Sequence, residues 1–255
     1  RQDQAPDLGM SERIRLDLAL EARGLMPSRA RARDAVLRGT VKVNGTIATK
    51  PGALVGPSDV IVISDPASRY VSRAALKLVA GLDSGAIEVT GRTCLDLGAS
   101  TGGFTQVLLE RGARRVYAAD VGHGQLSPIV AADPRVVAFE GLNARDLSAA
   151  QGPEPIDLVV CDISFVSVTK VLSAPLRLCR PGADAVILIK PQFEVGRPHV
   201  GKGGIVTDAG EIARAEAEVV AFMRAEGWEL AASVPSPIAG GDGNRETVAA
   251  FRRIA

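Results

Sequence analysis

The sequence predicts an α/β protein in which a mostly parallel sheet with helices on both faces follows a small α+β module. From residue 71 onward, short apolar runs alternate with helical stretches, the pattern of parallel strands joined by helical crossovers. A glycine-rich turn joins the first of these strands to a helix. The preceding residues instead indicate two short helices and a hairpin. We therefore expect the 255 residues to fold as a small domain and a larger one.

The small module comes first along the chain. Helices are expected over 14–23 and 29–38, each ended by a glycine, and Ser28 can cap the second. Asn44-Gly45 favours a tight hairpin turn, and a strand over 59–63 closes the module. The expected organisation is a disordered tail over residues 1–10, the module over 11–64, a linker over 65–71 and the larger domain over 72–255.

Charge is concentrated in this module. The net charge of the chain is only +1, yet residues 11–50 contain nine Lys or Arg and four Asp or Glu. A basic module on a neutral body indicates a polyanionic partner. A solvated arginine-rich helix is the alternative for any single arginine.

The module also resembles the small RNA-binding domain first described in a ribosomal small-subunit protein. The resemblance lies in L-M-P-S-R-A-R-A-R-D-A-V-L-R-G over 25–39 and V-K-V-N-G over 41–45. It implies that side chains on and beside the second helix meet RNA. The predicted RNA-binding residues, including two in the larger domain, are Arg13, Ser28, Arg29, Arg31, Arg33, Arg38, Lys42, Arg73 and Lys202.

In the larger domain, apolar and amphipathic runs predict the elements. Helices are expected over 72–83, 103–111, 167–179 and 208–226. Strands are expected over 92–98, 115–120, 135–140, 156–162 and 184–190, with two closing strands near 229–234 and 247–254. Because no helix separates the closing strands, we expect an antiparallel hairpin at the edge of the sheet.

Composition bounds the environment of the protein. No apolar run is long enough to cross a bilayer, and no signal-peptide pattern opens the chain. The three cysteines, Cys94, Cys161 and Cys179, lack metal-ligand spacing. Buried free thiols in a reducing cytosol are therefore expected. These features predict a cytoplasmic protein without a metal site, and a monomer is the expected oligomeric state.

The turn L-D-L-G-A-S-T-G-G-F over 95–104 has the strand–turn–helix pattern that brings backbone N–H groups close to a nucleotide-like ligand. It departs from G-x-G-x-x-G, and Asp96 lies two residues before its first glycine. This variant suits S-adenosylmethionine, whose amino acid end must be held where a pyrophosphate would otherwise lie. Asp120 ends the next strand and is expected on the ribose hydroxyls, and Asn143 near the adenine. A tight turn without a ligand is the alternative.

Four polar residues are placed for chemistry. Asp162 and Lys190 follow apolar strands, at the sheet edge where open α/β sheets bind ligands. Lys77 lies on the helix before the first strand, and Glu246 begins the last one. A lysine at the end of a buried strand is costly to desolvate without carboxylate partners, which Asp162 and Glu246 could supply. Each residue alone could be a solvent contact, but together they form a specific set.

The whole chain from residue 13 onward resembles the TlyA family of haemolysin-named ribosomal RNA methyltransferases. The motifs that carry the resemblance are V-S-R-A-A-L-K-L over 71–78, L-D-L-G-A-S-T-G-G-F-T over 95–105, A-D-V-G-H-G-Q-L over 119–126, D-I-S-F over 162–165, I-K-P-Q-F-E over 189–194 and G-K-G-G over 201–204. The resemblance implies a Rossmann-like, S-adenosylmethionine-dependent methyltransferase sheet of the FtsJ-like type. It also implies ribose 2'-O-methylation of ribosomal RNA or of ribosomal subunits.

The resemblance gives roles to the residues found above. Lys77, Asp162, Lys190 and Glu246 carry over as a catalytic tetrad, in which Lys190 is expected nearest the ribose hydroxyl and Asp162 orients it. The expected cofactor-binding residues are Gly98, Ala99, Ser100, Thr101, Gly102, Gly103, Asp120, Val121, Asn143 and Asp162. The glycine-rich segment 192–206 is expected either to close over RNA as a mobile loop or to be a surface loop.

Four alternatives remain open at this point. A base methyltransferase commonly has two prolines after the fourth strand, and D-I-S-F over 162–165 has none. A nicotinamide oxidoreductase would share the turn and Asp120 but would not need two lysines and two acids. A membrane-active haemolysin would leak liposomes, although the helix over 29–38 has only a small apolar face. An RNA-binding module without catalysis would not need the four residues.

Overall fold

The computed structural model describes residues 13–151 and 154–254, so the tail predicted over residues 1–10 lies outside the described residues. The chain divides into two compact units between Arg69 and Tyr70. Part of the segment predicted as a linker is packed rather than free. Asp65 and Ala67 are buried and bonded to arginines of the first unit, and Tyr70 is buried in the core of the second.

The first unit is a small α+β module. Its helices are α1 (Leu16–Ala22) and α2 (Arg29–Leu37), and its strands are β1 (Ile14–Arg15), β2 (Val41–Val43), β3 (Thr46–Ile47), β4 (Leu54–Val55) and β5 (Ile61–Ile63). Strands β3, β2 and β5 form one antiparallel sheet, and β1 pairs with β4. The predicted hairpin turn is present, since Asn44 and Gly45 both have positive φ, as a tight primed turn requires.

Helix spacing explains how this unit forms a core. Ala32, Ala35 and Val36 lie at i, i+3 and i+4 on α2, and they pack against buried residues of α1. Ser28 caps α2 as predicted, because its hydroxyl accepts a hydrogen bond from the Arg31 N–H at 3.3 Å. Helix α1 begins two residues later than predicted, because Ile14 and Arg15 are extended and pair with β4.

The second unit has the predicted alternation of strands and helices. Its strands are β6 (Thr93–Leu97), β7 (Arg115–Asp120), β8 (Val136–Glu140), β9 (Ile156–Cys161), β10 (Cys179–Ile189), β11 (Trp228–Pro235) and β12 (Thr247–Arg253). Its helices are α3 (Ala75–Ser84), α4 (Gly103–Glu110), α5 (Pro128–Ala131), α6 (Ser173–Arg177), α7 (Pro191–Glu194) and α8 (Ala209–Ala225).

The strands form one seven-stranded sheet in the order β11-β12-β10-β9-β6-β7-β8. Strands β10, β9, β6, β7 and β8 are parallel, whereas β12 is antiparallel to both of its neighbours. The predicted closing hairpin is thus confirmed, with β11 at the edge and β12 inside the sheet. The chain runs from β6 through β7 to β8 on one side and then crosses to β9 on the other. This reversal is where open α/β sheets bind ligands.

Alternating side chains bury both faces of the sheet, as a doubly covered parallel sheet requires. One face packs against α3 and α4 and includes Leu158, Val160, Val186 and Leu188. The other face packs against α6 and α8 and includes Val159 and Ile187 among its buried residues. The even-numbered residues of β9, β10 and β12 therefore share the face that α3 covers, which matters for the residues at the strand ends.

The helix predicted over 167–179 is wrong. A 3₁₀ turn over Val168–Lys170 is followed by the short α6, and β10 already begins at Cys179. Val168 and Val171 are β-branched and disfavour a helix, and Pro175 supplies no N–H to a helix interior. The short α5, between β7 and β8, was not predicted from the sequence.

Candidate active site

A cavity of about 390 Å³ opens at the carboxyl ends of β6, β7 and β9, at the reversal of strand order. Six of the predicted cofactor-binding residues line it, which are Gly98, Ser100, Asp120, Val121, Asn143 and Asp162. Arg145 and Phe165 also line the cavity, and neither was among the cofactor residues predicted from the sequence. Ala99, Thr101, Gly102 and Gly103 of the predicted set are not among its lining residues.

Backbone amides hold the Asp120 carboxylate in place at the end of β7. Its two oxygens accept hydrogen bonds from Ser100 N at 2.8 Å and from Gly122 N at 2.7 Å. These bonds fix the carboxylate beside the cavity while it retains further acceptor capacity. The arrangement suits a carboxylate that accepts hydrogen bonds from the vicinal hydroxyls of a ribose.

The glycines of the turn serve packing as well as ligand access. Gly98 has φ +80°, and a Cβ there would lie 3.0 Å from the carbonyl oxygen of Asp162. Gly102 has φ +96°, and a Cβ there would press on Leu126 and Val130. At Gly103 a Cβ would lie 2.8 Å from the Cβ of Ser72. The second and third of these glycines therefore let α4 pack closely against its neighbours, which the sequence prediction did not anticipate.

Two buried ion pairs join the four residues of the predicted tetrad. The Lys190 ammonium lies 2.6 Å from Oδ1 of Asp162, with 7% and 17% of the two side chains exposed. Lys77 on α3 forms an ion pair with Glu246, with 8% and 3% exposed. The sequence predicted that both acids could serve Lys190. The structure instead divides them into Lys190–Asp162 and Lys77–Glu246.

Strand register places the two pairs at one edge of one face. Ile189 of β10 pairs with Thr247 of β12, so one more step of that register sets Lys190 opposite Glu246. Asp162 directly follows β9, the parallel neighbour of β10. By the alternation of the pleat, these three even-numbered residues continue the face that α3 covers, and Lys77 reaches the same face from α3.

The loop after β9 carries two further polar and aromatic groups. Lys190 Nζ donates to the Ser164 hydroxyl at 2.8 Å and to the Asp162 carbonyl oxygen at 3.1 Å. Phe165 is 91% exposed with φ +70°, a conformation that is rare for a bulky residue. Its ring centroid lies 5.5 Å from that of Phe193 on α7. The sequence signal for Ser164 and Phe165 was the motif D-I-S-F over 162–165, which gave neither residue a role.

Two buried carboxyl groups near the site have raised pKa values. Burial raises the pKa of Asp96 to about 7, although Thr105 donates a hydrogen bond to it at 2.6 Å. The second oxygen of Asp96 has no hydrogen-bond partner. Burial also raises the pKa of Glu194, which accepts hydrogen bonds from the Ser167 hydroxyl at 2.6 Å and from Val168 N at 3.0 Å.

The arginines predicted to bind RNA differ in how the protein engages them. Arg38 is bound to Asp34 and, through two nitrogens, to the buried Asp65. Arg31 donates to the Ala67 carbonyl oxygen at 2.9 Å. Arg29 lies on the buried Asp17, with about half of its side chain exposed.

The remaining members of that set lie at the surface or partly buried. Arg33, Lys42 and Lys202 are exposed, and Arg73 is partly buried. Arg13 is exposed and lies 3.8 Å from Asp59. Lys202 belongs to a 3₁₀ turn of the glycine-rich segment. The Asn244 side chain accepts a hydrogen bond from Val206 N of that segment and donates one to the Gly204 carbonyl oxygen. That segment is thus tied to the residues just before Glu246.

The cavity fits S-adenosylmethionine. The oriented Asp120 carboxylate suits ribose hydroxyls, and the apolar side chains of Val121 and Leu142 suit an adenine ring. The side-chain oxygen of Asn143 accepts a hydrogen bond from Arg145 N, which leaves the side-chain N–H groups of Asn143 to donate to a ligand. The unpartnered oxygen of Asp96 supplies a buried acceptor beneath the turn. The fold and this site define an S-adenosylmethionine-dependent methyltransferase.

Comparisons with known proteins place the chain more closely. Residues 70–253 match the FtsJ-like methyltransferase model, and residues 14–61 match the S4 domain model. The chain is 45% identical over 238 residues to the 16S/23S rRNA (cytidine-2'-O)-methyltransferase TlyA of Mycobacterium tuberculosis, covering 93% of this chain and 89% of that one. It is 39% identical to Hemolysin A of Brachyspira hyodysenteriae, covering 93% and 99%. A solved hemolysin-named protein from Streptococcus thermophilus superposes with a TM-score of 0.74 at 34% identity, covering 96% and 90%.

The chain belongs to the TlyA family of FtsJ-like methyltransferases with an N-terminal S4 domain. The resemblance inferred from the sequence motifs is therefore confirmed. Some members of the family carry the name hemolysin. Within residues 13–151 and 154–254, no helix is long and apolar enough to span a membrane.

Proposed function

We propose that the protein transfers a methyl group from S-adenosylmethionine to a ribose 2'-hydroxyl of ribosomal RNA. The observation that carries the proposal is the buried double ion pair of Lys190 with Asp162 and of Lys77 with Glu246, at the strand ends beside the cofactor cavity. Two relatives named as cytidine-2'-O-methyltransferases support a cytidine as the target. A protein that modifies ribosomal RNA is expected in the cytoplasm, and a monomer remains the expected state.

The cofactor supplies a methyl group on a sulfonium, which makes that methyl strongly electrophilic. The protein then has to place and activate a hydroxyl that is a weak nucleophile. The Lys190 ammonium, fixed by Asp162, would lie nearest the ribose oxygen and stabilise the negative charge that develops there as the hydroxyl proton is released to water. Lys77 and Glu246 keep the surrounding charges balanced, so that Lys190 is not left beside an unpaired buried group. In-line placement of the hydroxyl supplies much of the remaining rate.

The exposed ring of Phe165 is proposed to hold the base of the target nucleotide. It stands at the rim of the cavity and is backed by Phe193, so a base drawn out of its stack could pack on its open face. Stacking of a base on an aromatic ring contributes about 1–3 kcal/mol. The left-handed backbone at Phe165 costs about 1–3 kcal/mol, a strain that marks functional loops.

Methyl transfer to ribosomal subunits from radiolabelled S-adenosylmethionine tests this proposal. The product should be a ribose methyl group, which blocks alkaline cleavage of the adjacent phosphodiester. Lys190→Ala should abolish transfer while cofactor affinity, measured by calorimetry, is unchanged. Lys190→Arg should not restore activity, because the planar guanidinium cannot replace the compact ammonium. Lys170→Ala is the matched control, because this lysine is exposed and is not among the predicted site residues. A methyl group on a base, with the ribose unmodified, would overturn the proposal.

A further inference from the structure

The ammonium of Lys190 has three oxygen neighbours, and they are unequal. The Asp162 carboxylate lies at 2.6 Å, the Ser164 hydroxyl at 2.8 Å and the Asp162 main-chain carbonyl at 3.1 Å. An ammonium group has three N–H donors, and two of them donate to the Ser164 hydroxyl and the main-chain carbonyl. The carboxylate contact is an ion pair in which Asp162 Oδ1 accepts no hydrogen bond, so the third N–H is not committed to that oxygen.

The longest contact is the one most readily exchanged. The carboxylate carries a charge and lies closest, and the Ser164 hydroxyl lies within a short, well-formed hydrogen bond. The carbonyl contact at 3.1 Å is near the long end of N–H···O distances. With the carboxylate and the hydroxyl retained, the third N–H remains for a substrate oxygen.

The loop that carries Ser164 is anchored at its far end. Glu194, at the end of α7, accepts hydrogen bonds from the Ser167 hydroxyl and the Val168 N–H. Helix α7 begins directly after Lys190, so a single short segment holds both the lysine and the far end of the loop. The position of the Ser164 hydroxyl relative to Lys190 is thus set from both sides.

We propose that Ser164 is a positioning residue that, together with the Asp162 carboxylate, holds Lys190 so that its third N–H points at the ribose 2'-oxygen. The inference rests on the proposed ribose methylation and adds a residue to that site. It assigns Ser164 a part in the chemical step rather than in binding of RNA or cofactor. A hydroxyl suits this role because it accepts from the ammonium without adding a second negative charge.

The test compares Ser164→Ala with Ser164→Thr in the full chain. Loss of a hydrogen bond to a charged group predicts a fall of roughly 10- to 100-fold in kcat. KM for ribosomal RNA and Kd for S-adenosylmethionine should stay within about twofold, because a transition-state contact alone is lost. Ser164→Thr keeps the hydroxyl, and Ser164 lines the cavity, which leaves room for the added methyl. It should restore most of kcat.

Ser173→Ala is the matched control, because it removes a hydroxyl that bonds to Glu226 and lies outside the loop that carries Ser164. It should leave kcat and KM for RNA close to those of the wild type. If Ser164→Ala fails to fold, Ser164→Cys keeps the size but is a weaker acceptor, and the same kcat loss is expected.

Three results would overturn the proposal. These are an unchanged kcat in Ser164→Ala, a failure of threonine to restore kcat, and an equal kcat loss in Ser173→Ala. Failure of the proposed function is distinguishable, since it would appear in the wild-type protein as the absence of a ribose methyl group. In that case, the rate of lysine acetylation by acetic anhydride still tests the hydrogen bond between Lys190 and Ser164. Lys190 should be acetylated faster in Ser164→Ala than in wild type, with the acetylation of Lys202 as the internal reference.

Discussion

Breaking the Lys77–Glu246 pair gives the sharpest test of how the site is built. Glu246→Gln keeps the shape of the side chain but removes its charge, which leaves the Lys77 ammonium buried without a carboxylate. Removing one partner of a buried ion pair costs about 3–5 kcal/mol. For a unit of this size, each kcal/mol lowers Tm by about 2–4 °C, so the expected fall is about 6–20 °C.

A double variant separates charge from packing. Lys77→Met combined with Glu246→Gln buries no charge, so it should recover most of the lost Tm. Methyl transfer should be lost in both the single and the double variant. Differential scanning calorimetry on the full chain, with all four proteins of the cycle, measures both effects. A Tm change below about 2 °C in Glu246→Gln, or a double variant no more stable than the single, would refute the reasoning.

Three further expectations concern the turn, the buried acid and RNA binding. Gly98→Ala should lower cofactor affinity at least about tenfold by calorimetry, since its Cβ would meet the Asp162 carbonyl, whereas Gly124→Ala, with open space around it, should not. The pKa of Asp96 in the folded protein, about 7, lies above the ordinary value of 3.8. The protonated Asp96 carboxyl therefore contributes fully to the free energy of unfolding below about pH 3.8, and this contribution is lost as the pH rises to 7. Asp96→Asn should therefore gain stability relative to wild type across that window, and parallel pH profiles in urea unfolding would contradict this. Arg33→Ala should reduce the slope of log K for RNA binding against log salt concentration by about 1. Arg38→Ala should mainly lower Tm, because Asp65 would lose its partner.

Much of the larger domain could be predicted because its strands are short apolar runs bounded by glycine, proline or acidic residues. Buried parallel strands produce such runs, and their carboxyl ends meet at one edge. The convergence of Asp162 with Lys190 followed from this rule. The helix over 167–179 failed because apolar periodicity outweighed the β-branched residues, which lower helix propensity, and Pro175, which interrupts a helix interior.

The details of the site needed coordinates. Nothing in residue order shows that Glu246 pairs with Lys77, since that choice depends on the sheet face from which α3 approaches. Ser164 and Phe165 lie in a loop, where periodicity has no meaning, and the positive φ of Phe165 has no signal in its residue type. The packing roles of Gly102 and Gly103 likewise depend on neighbours far along the chain.

The place of β12 inside the sheet has a consequence for the order in which the protein matures. Lys77 and Glu246 are separated by 169 positions, and the strand that follows Glu246 fills the gap between β10 and β11. A growing chain can therefore form α3 and the parallel strands early, but the carboxylate that pairs with Lys77 is made only after all of those strands. Contacts this distant in sequence are slow to form. The lining of the cofactor cavity ends at Val171, so the cavity can be complete before the Lys77–Glu246 pair forms.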